Sequence, residues 1–370
     1  MPVIERYPYV TEQAYRSKSA SAYRPSKKAI NDVPSALLFD DPAVLLNFVS
    51  SLSSPDQLLN VTSLRVQFNF ACDRRQSAHH NIVTGISILV RHCSSLQVLS
   101  LYWEGLPSSV LSGASFSLST FQSWMVVDVN TINFLNSQPE LRTLDLKEWG
   151  RHLPPRHPGS TASSSSAVRR RAMAPEPPSL APGALPNLVE FSGHAEVASQ
   201  LAAGRPLQVV TLSEGFDAGT TGEEWREIMA GLGQSTHWVS NLSVATLETF
   251  SLEMLAEIGR HLHALETLRL RVHRAPYVSE LFHWDHWKNY VLPLVELEHI
   301  EIELVEDWRM QSQTLTAHPV ACNLPTIDHI RQWHRTCPML LSASVRISGG
   351  PKLIHWEWRN LSWIDRLRQR

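Results

Sequence analysis

The strongest constraint on this chain is a short apolar frame, Leu-x-x-Leu-x-Leu, which recurs behind segments of helical period. Strict copies are Leu96-Leu99-Leu101, Leu141-Leu144-Leu146 and Leu265-Leu268-Leu270. Relaxed copies are Leu188-Phe191, Leu207-Val210-Leu212, Leu247-Phe250-Leu252 and Leu297-Ile300-Ile302. The segment Val61, Leu64, Val66, Phe68 alternates in the same way. Alternate side chains of a strand point to opposite faces, so the frame describes short strands with one apolar face. No such unit can bury its own face, and stacking units one on the next solves the problem.

Helical periods stand between the frames. Asp41 suits a cap and Pro42 a first helical position, and Val44, Leu45, Phe48, Val49 and Leu52 follow on one face. Ile82, Ile86 and Leu89 predict a second helix ending near Cys93. Trp225, Ile228, Met229 and Leu232 predict another, as do Leu255, Ile258 and Leu262, and Ile327, Ile330 and His334. Leu361, Ile364 and Leu367 predict a last helical turn or two. The fold expected is α/β: an irregular leucine-rich-repeat solenoid with parallel strands on its concave face and helices outside. It is irregular because the frames begin at 96, 141, 188, 207, 247, 265 and 297, whereas regular repeats run about 20–29 residues. The intervals 96–141 and 141–188 each have room for two units, or for one unit with a long helix.

The rival reading is a doubly wound α/β enzyme with a site at the C-terminal ends of its parallel strands. Strand order discriminates. Sequential order with helices on one face means a solenoid, and a reversal with helices on both faces creates a switch-point crevice.

Two stretches break the pattern. Residues 1–34 carry Arg6, Arg16, Lys18, Arg24, Lys27 and Lys28 against Glu5, Glu12 and Asp32, with Tyr7, Tyr9, Tyr15 and Tyr23. Composition predicts a disordered basic tail, and its tyrosines offer a second reading in which it docks onto the body. Residues 150–186 are rich in proline and serine, and predict a disordered insertion. Arg169, Arg170 and Arg171 beside Ser163–Ser166 resemble a phosphorylation or import signal, but a solvated linker is the favoured reading. The expected organisation is a tail over 1–34, N-terminal repeats with an entry helix over 35–149, the insertion over 150–186, and C-terminal repeats with a cap over 187–370.

Net charge is −2, which excludes a strongly basic nucleic-acid binder. Four cysteines in 370 residues exclude a disulfide-stapled scaffold. Neither a membrane-length apolar run nor a signal peptide is read, so the expectation is an intracellular protein of cytoplasm or nucleus, with no membrane and no nucleic-acid partner. Phosphate-loop, dinucleotide, zinc-protease and nucleophile-elbow motifs are not found, and no enzyme activity or cofactor is expected. His283 and His286, like His261 and His263, invite a metal reading, but the cysteines are scattered and an aromatic helix packed on the solenoid explains Trp284 and Trp287.

Solenoids of this kind bind partners on the concave face. The frame turns Tyr102, Thr143, Asp145, Arg269, Arg271, Glu301 and Glu303 outward. Trp103, Trp149 and Trp308 lie just past their strands, as interface anchors or as buried strand ends. Should the strands of Arg269/Arg271 and Glu301/Glu303 be neighbours, the four form a ladder of opposite charges. The acidic run Glu296, Glu298, Glu301, Glu303, Glu306, Asp307 alternatively attracts a basic partner.

The segments RHCSSLQVLSLYW, QPELRTLDLKEW, LHALETLRLRV and HRTCPML resemble the repeat region of fungal F-box-like proteins, which write a helix ending in Cys or Cys-Pro before a Leu frame. The resemblance covers about residues 40–350. It implies a protein partner, and a ubiquitin-ligase adaptor where an F-box is present. Pro42-Ala-Val-Leu45-Leu46-Asn-Phe48-Val49-Ser-Ser-Leu52 resembles the opening of an F-box, with Asp56 and Leu58-Leu59 following. The module's later Cys-Arg-x-Trp-like core is missing. The resemblance therefore implies a substrate receptor whose F-box is degenerate, or a relative without one.

Overall fold

A computed structural model describes residues 33–68, 77–146, 180–181, 183–214, 222–247, 252–273, 284–305, 325–348, 352–359 and 362–369. Its strands form one sheet of 13 in strict chain order. They are β1 (Ala36–Phe39), β2 (Ser63–Gln67), β3 (Val98–Tyr102), β4 (Thr120–Ser123), β5 (Thr143–Leu146), β6 (Glu190–His194), β7 (Val209–Glu214), β8 (Asn241–Leu247), β9 (Thr267–His273), β10 (His299–Val305), β11 (Ser342–Ser348), β12 (Lys352–Arg359) and β13 (Ser362–Gln369). Pairing is parallel from β1 through β11 and antiparallel for β11–β12 and β12–β13.

Helices α1 (Pro42–Ser51), α2 (Ser77–His92), α3 (Val129–Asn136), α4 (Ala195–Ala202), α5 (Gly222–Leu232), α6 (Leu252–His261), α7 (Trp284–Val291) and α8 (Ile327–Thr336) form the second layer. They also pack in chain order: α1 on α2, α4 on α5, α5 on α6, α6 on α7 and α7 on α8. Packing is close enough to select glycine. A Cβ on Gly231 of α5 would collide with the Ser199 side chain of α4. Helices pack about 8–10 Å apart and strands about 4.8 Å apart, so the helical side is the longer and the strands line the concave side.

The frame is the core. Val61, Leu96, Leu118, Leu141, Leu188, Leu207, Val239, Leu265, Leu297 and Leu340 open successive units, and all are buried. Seven of these junctions repeat one turn, in which the amide of the frame's first residue donates to the carbonyl three residues back. The distance is 3.2 Å for Leu96 to Cys93, 3.3 Å for Leu141 to Gln138 and 3.1 Å for Leu340 to Cys337. The acceptor residue is itself buried beneath the strand, which explains why a small apolar thiol serves at Cys93 and Cys337. The α1 cap is as expected: Asp41 Oδ1 accepts from the Ala43 amide at 2.8 Å, and Leu45 and Phe48 are buried.

The structure corrects several expectations. The frame read at Leu247 is displaced, because the strand is β8 and its inward residues are Leu242 and Val244; Leu252 already opens α6. Strands β1, β4 and β11 escaped the pattern. In β4 the third frame position is Ser123, fully buried, whose hydroxyl accepts from the Met125 amide at 2.9 Å; in β11 the second is Ala343. Recovering Leu118 divides the interval 96–141 into two units. The C-terminal helix is overturned: Leu361 lies outside the described residues, and Ile364 and Leu367 lie in β13, an antiparallel strand on β12. The insertion is also shorter than 150–186. Leu185 is buried, and the Ala184 carbonyl oxygen accepts from Arg205 Nε at 2.7 Å, so residues 183–186 belong to the repeats. The tail and the rest of the insertion lie outside the described residues, apart from Val33, Pro34 and 180–181.

Candidate partner-binding face

Register lines the outward side chains up in rows. One row runs Arg65, Ser100, Gln122, Asp145, Ser192, Thr211, Ser243, Arg269, Glu301, Ser344 from β2 to β11. The face divides into three zones.

The first zone is aromatic and hydrogen-bonded. Tyr102 points outward as predicted, yet it is only 7% exposed. The Arg65 guanidinium covers its ring at 5.2 Å and the Trp124 ring meets it edge-on at 5.4 Å. Gln122 Oε1 accepts from the Tyr102 hydroxyl at 2.6 Å and from the Ser100 hydroxyl at 2.9 Å, while Arg65 Nη2 donates to Gln67 Oε1 at 2.8 Å. These contacts fix the side chains before any partner arrives, which lowers the entropy cost of binding. Trp103 is a correction. Its parity is inward, it is fully buried, and it packs edge-on to Phe68 at 5.4 Å and against His79 at 5.1 Å. It belongs to the core and is withdrawn from the partner-binding set. Sequence reasoning missed Gln122 and Trp124 because β4 itself was not recognised, and it missed Arg65 because the outward side chains of β2 were not read as part of the face.

The second zone is low. Strands β6, β7 and β8 present Ser192, Thr211 and Ser243 in one row. Three strands span about 14 Å, enough for a helix about 10 Å across. At its border Thr143 Oγ1 donates to Glu190 Oε2 at 3.3 Å, and Asp145 stands opposite Ser192.

The third zone is charged. β9 and β10 are neighbours, with Arg269 opposite Glu301 and Arg271 opposite Glu303. The nitrogen–oxygen distances are 3.3 and 3.6 Å, so the expected ladder is formed. Arg346 of β11 continues it opposite Glu303. Trp149 and Trp308 lie outside the described residues.

No group of three or more metal-ligating side chains is found among the described residues. His286 is exposed on α7, where Trp284 and Trp287 are buried against Trp333 at ring distances of 6.0 and 5.4 Å; His283 lies outside the described residues. His261 lies 3.6 Å from Glu257, and His263 packs on Trp238 at 4.7 Å. Burial pushes the Cys93 thiol up to about 12 and the Cys337 thiol to about 11. No described helix is long and apolar enough to cross a membrane.

Sequential parallel strands with an inward leucine frame and a single ordered helical layer define a leucine-rich-repeat solenoid of irregular unit length, with an open sheet. No family model matches the chain, and no curated protein matches it. Among solved structures it is similar to the leucine-rich-repeat-containing protein LegL7 of Legionella pneumophila, at 11% identity over 85% of this chain and 84% of that one, with a TM-score of 0.40. It is also similar to a protein of Bacteroides fragilis, at 12% identity over 75% and 71%, with a TM-score of 0.34.

Proposed function

We propose that this protein is an interaction scaffold that holds another protein on the outward face of its sheet. One observation carries the reading: eleven parallel strands in chain order set their outward side chains in continuous rows, while the helices pack together as the opposite layer. The strand order has no reversal, so the crevice that motivated an enzymatic alternative has no place among the described strands. The partner segment fits the low zone over β6–β8, between the Tyr102–Trp124 patch and the Arg269–Glu301 ladder.

The finer proposal is a substrate-recognition subunit of an F-box-type ubiquitin ligase, or a relative of such subunits without the F-box. Its support is the sequence resemblance. The form without an F-box is favoured because α1 leads into one 3-10 turn, Pro55–Leu58, and then directly into β2.

The test is comparative co-purification from cells of the source. Arg65→Glu/Trp124→Ala and Arg269→Glu/Arg271→Glu alter the concave face, and Glu223→Lys/Arg331→Glu alters the helical face. The same proteins should be lost with both concave variants and kept with the helical one. Loss with the helical variant alone overturns the concave reading. Cullin and adaptor subunits recovered with the full chain support the receptor form, and their absence overturns it in favour of the relative without an F-box.

A further inference from the structure

The loops that lead into β8, β9, β10 and β11 form one rim of the solenoid, and this rim is unusual. It exposes large apolar side chains: Trp238 is 62% exposed, Leu292 56%, Val295 50% and Met339 45%. These residues sit at successive junctions in chain order, because Ser240, Glu266 and Glu298 each accept two amide hydrogens from the next strand's entry. They therefore form a stripe and are not scattered singly. A contiguous exposed apolar patch marks an interaction site.

The stripe carries charge of one sign. Residues 232–241, 261–267, 291–299 and 336–342 contain Glu266, Glu296 and Glu298 and neither lysine nor arginine. Glu298 donates its amide to the Glu266 carbonyl at 2.8 Å, so the two residues are adjacent across a strand boundary. Like charges placed side by side on neighbouring strands destabilise. The described neighbour of Glu298 is His299, at 3.7 Å, which bears charge only when protonated. The rim thus calls for an occupant with aromatic or apolar side chains and surplus positive charge.

We infer that the occupant is this chain's own N-terminal tail, residues 1–32. It has six lysines and arginines against three acidic residues, and four tyrosines. All strands from β1 to β11 are parallel, so the chain entering β1 at Ala36 leaves on the same rim as the stripe. Reach is sufficient. From β1 to β8 is about 34 Å and to β11 about 48 Å at about 4.8 Å per strand, while 32 residues extend to about 105 Å. Tyrosine offers contact area at low entropy cost, and lysine or arginine beside Trp238 adds a cation–π contact to the carboxylate pairing. The inference is independent of what the concave face binds.

The test uses the full chain with the photo-crosslinker benzoylphenylalanine at position 15 in place of Tyr15. Irradiation should give intramolecular adducts in the monomer, mapped by mass spectrometry to peptides bearing Trp238, His263, Leu292 to Val295, or Met339. Charge reversal by Glu266→Lys/Glu298→Lys should lower their yield about threefold or more. Should that variant lose its wild-type circular-dichroism melt, the wild type in about 0.5 M salt supplies the same comparison, because exposed charges are then screened. Adducts confined to another face, adducts found only in cross-linked dimers, or a yield indifferent to charge and salt each overturn the proposal.

Discussion

Arg269 Nε lies 3.3 Å from the Glu301 carboxylate, directly across the β9–β10 boundary, and Arg271 and Glu303 repeat the relationship two residues on at 3.6 Å. Each partner keeps about a quarter to two fifths of its side chain in solvent. Water and salt therefore screen both pairs. A double-mutant cycle on Arg269→Ala and Glu301→Ala should yield a coupling of about 0.2–1 kcal/mol that shrinks with salt. A coupling above about 2 kcal/mol would show that the ladder holds the fold together rather than presenting charge.

That ladder was legible in the sequence, since frame parity and unit order suffice to put arginine opposite glutamate. So were most of the strands with three large frame residues and the α1 cap. Strands β4 and β11 were not, because their frames contain Ser123 and Ala343, and burial of a small side chain leaves no apolar signal. Missing β4 cost the site Gln122 and Trp124. Nor was the β12–β13 hairpin legible: Leu361, Ile364 and Leu367 fit a helical spacing, and periodicity alone does not settle short apolar runs. The burial of Tyr102 depends on Arg65, which lies on a strand distant in sequence, and no local pattern reports that.

Adjacent residues Tyr102 and Trp103 should behave oppositely. Trp103 is fully buried against Phe68, so Trp103→Ala should cost about 3–5 kcal/mol in urea unfolding. Tyr102→Phe keeps the ring and removes one hydroxyl donor to Gln122, which Ser100 also serves. It should cost about 0.5–1.5 kcal/mol. Equal costs for Trp103→Ala and Tyr102→Phe would contradict the assignment of one side chain to the core and the other to the face.

Gly193 occupies the third frame position of β6, where most other units carry a large residue. A Cβ there would lie 2.6 Å from the Leu146 carbonyl oxygen and 2.8 Å from the Phe191 ring. The carbonyl belongs to the paired strand and cannot retreat without loss of register. Gly193→Ala should therefore destabilise by about 1–3 kcal/mol despite alanine's smaller unfolded-state entropy. A melting temperature equal to or above the wild type's would refute the close approach.

Asp128 caps α3, accepting from the Asn130 amide at 2.9 Å and the Thr131 amide at 3.1 Å. Burial by itself raises its carboxyl, but hydrogen bonds from Ser108, Thr131 and Asn130 outweigh that and hold it below the ordinary 3.8. A depressed pKa contributes stability above the unfolded value, and that contribution is lost as pH falls below 3.8. Asp128→Ala should cost about 0.5–2 kcal/mol at pH 7, and the gap from wild type should narrow toward pH 2.5, about a unit or more below the ordinary carboxyl range. A gap independent of pH would show that the ionised carboxylate is not what caps the helix.

Cys93 and Cys337 close their helices at the same place in the unit, and both are fully buried. Burial raises both thiols, to about 12 for Cys93 and about 11 for Cys337, where Sγ also donates to the Leu294 carbonyl at 2.9 Å. The thiolate is the nucleophile, so at pH 8 the folded protein should leave both residues unalkylated by iodoacetamide, and urea should expose both. The sign of the linkage follows from the raised values. The folded state holds these protons more tightly than the unfolded chain, whose thiols titrate near 9. Their contribution is full below pH 9 and falls as pH rises toward 11–12. The Cys93→Ala/Cys337→Ala variant should be less stable at pH 7 through lost packing, yet should lose less further stability between pH 8 and 10.5, a span around the ordinary thiol value. Rapid alkylation of Cys93 in the folded state at pH 8 would refute its burial at the helix–strand junction.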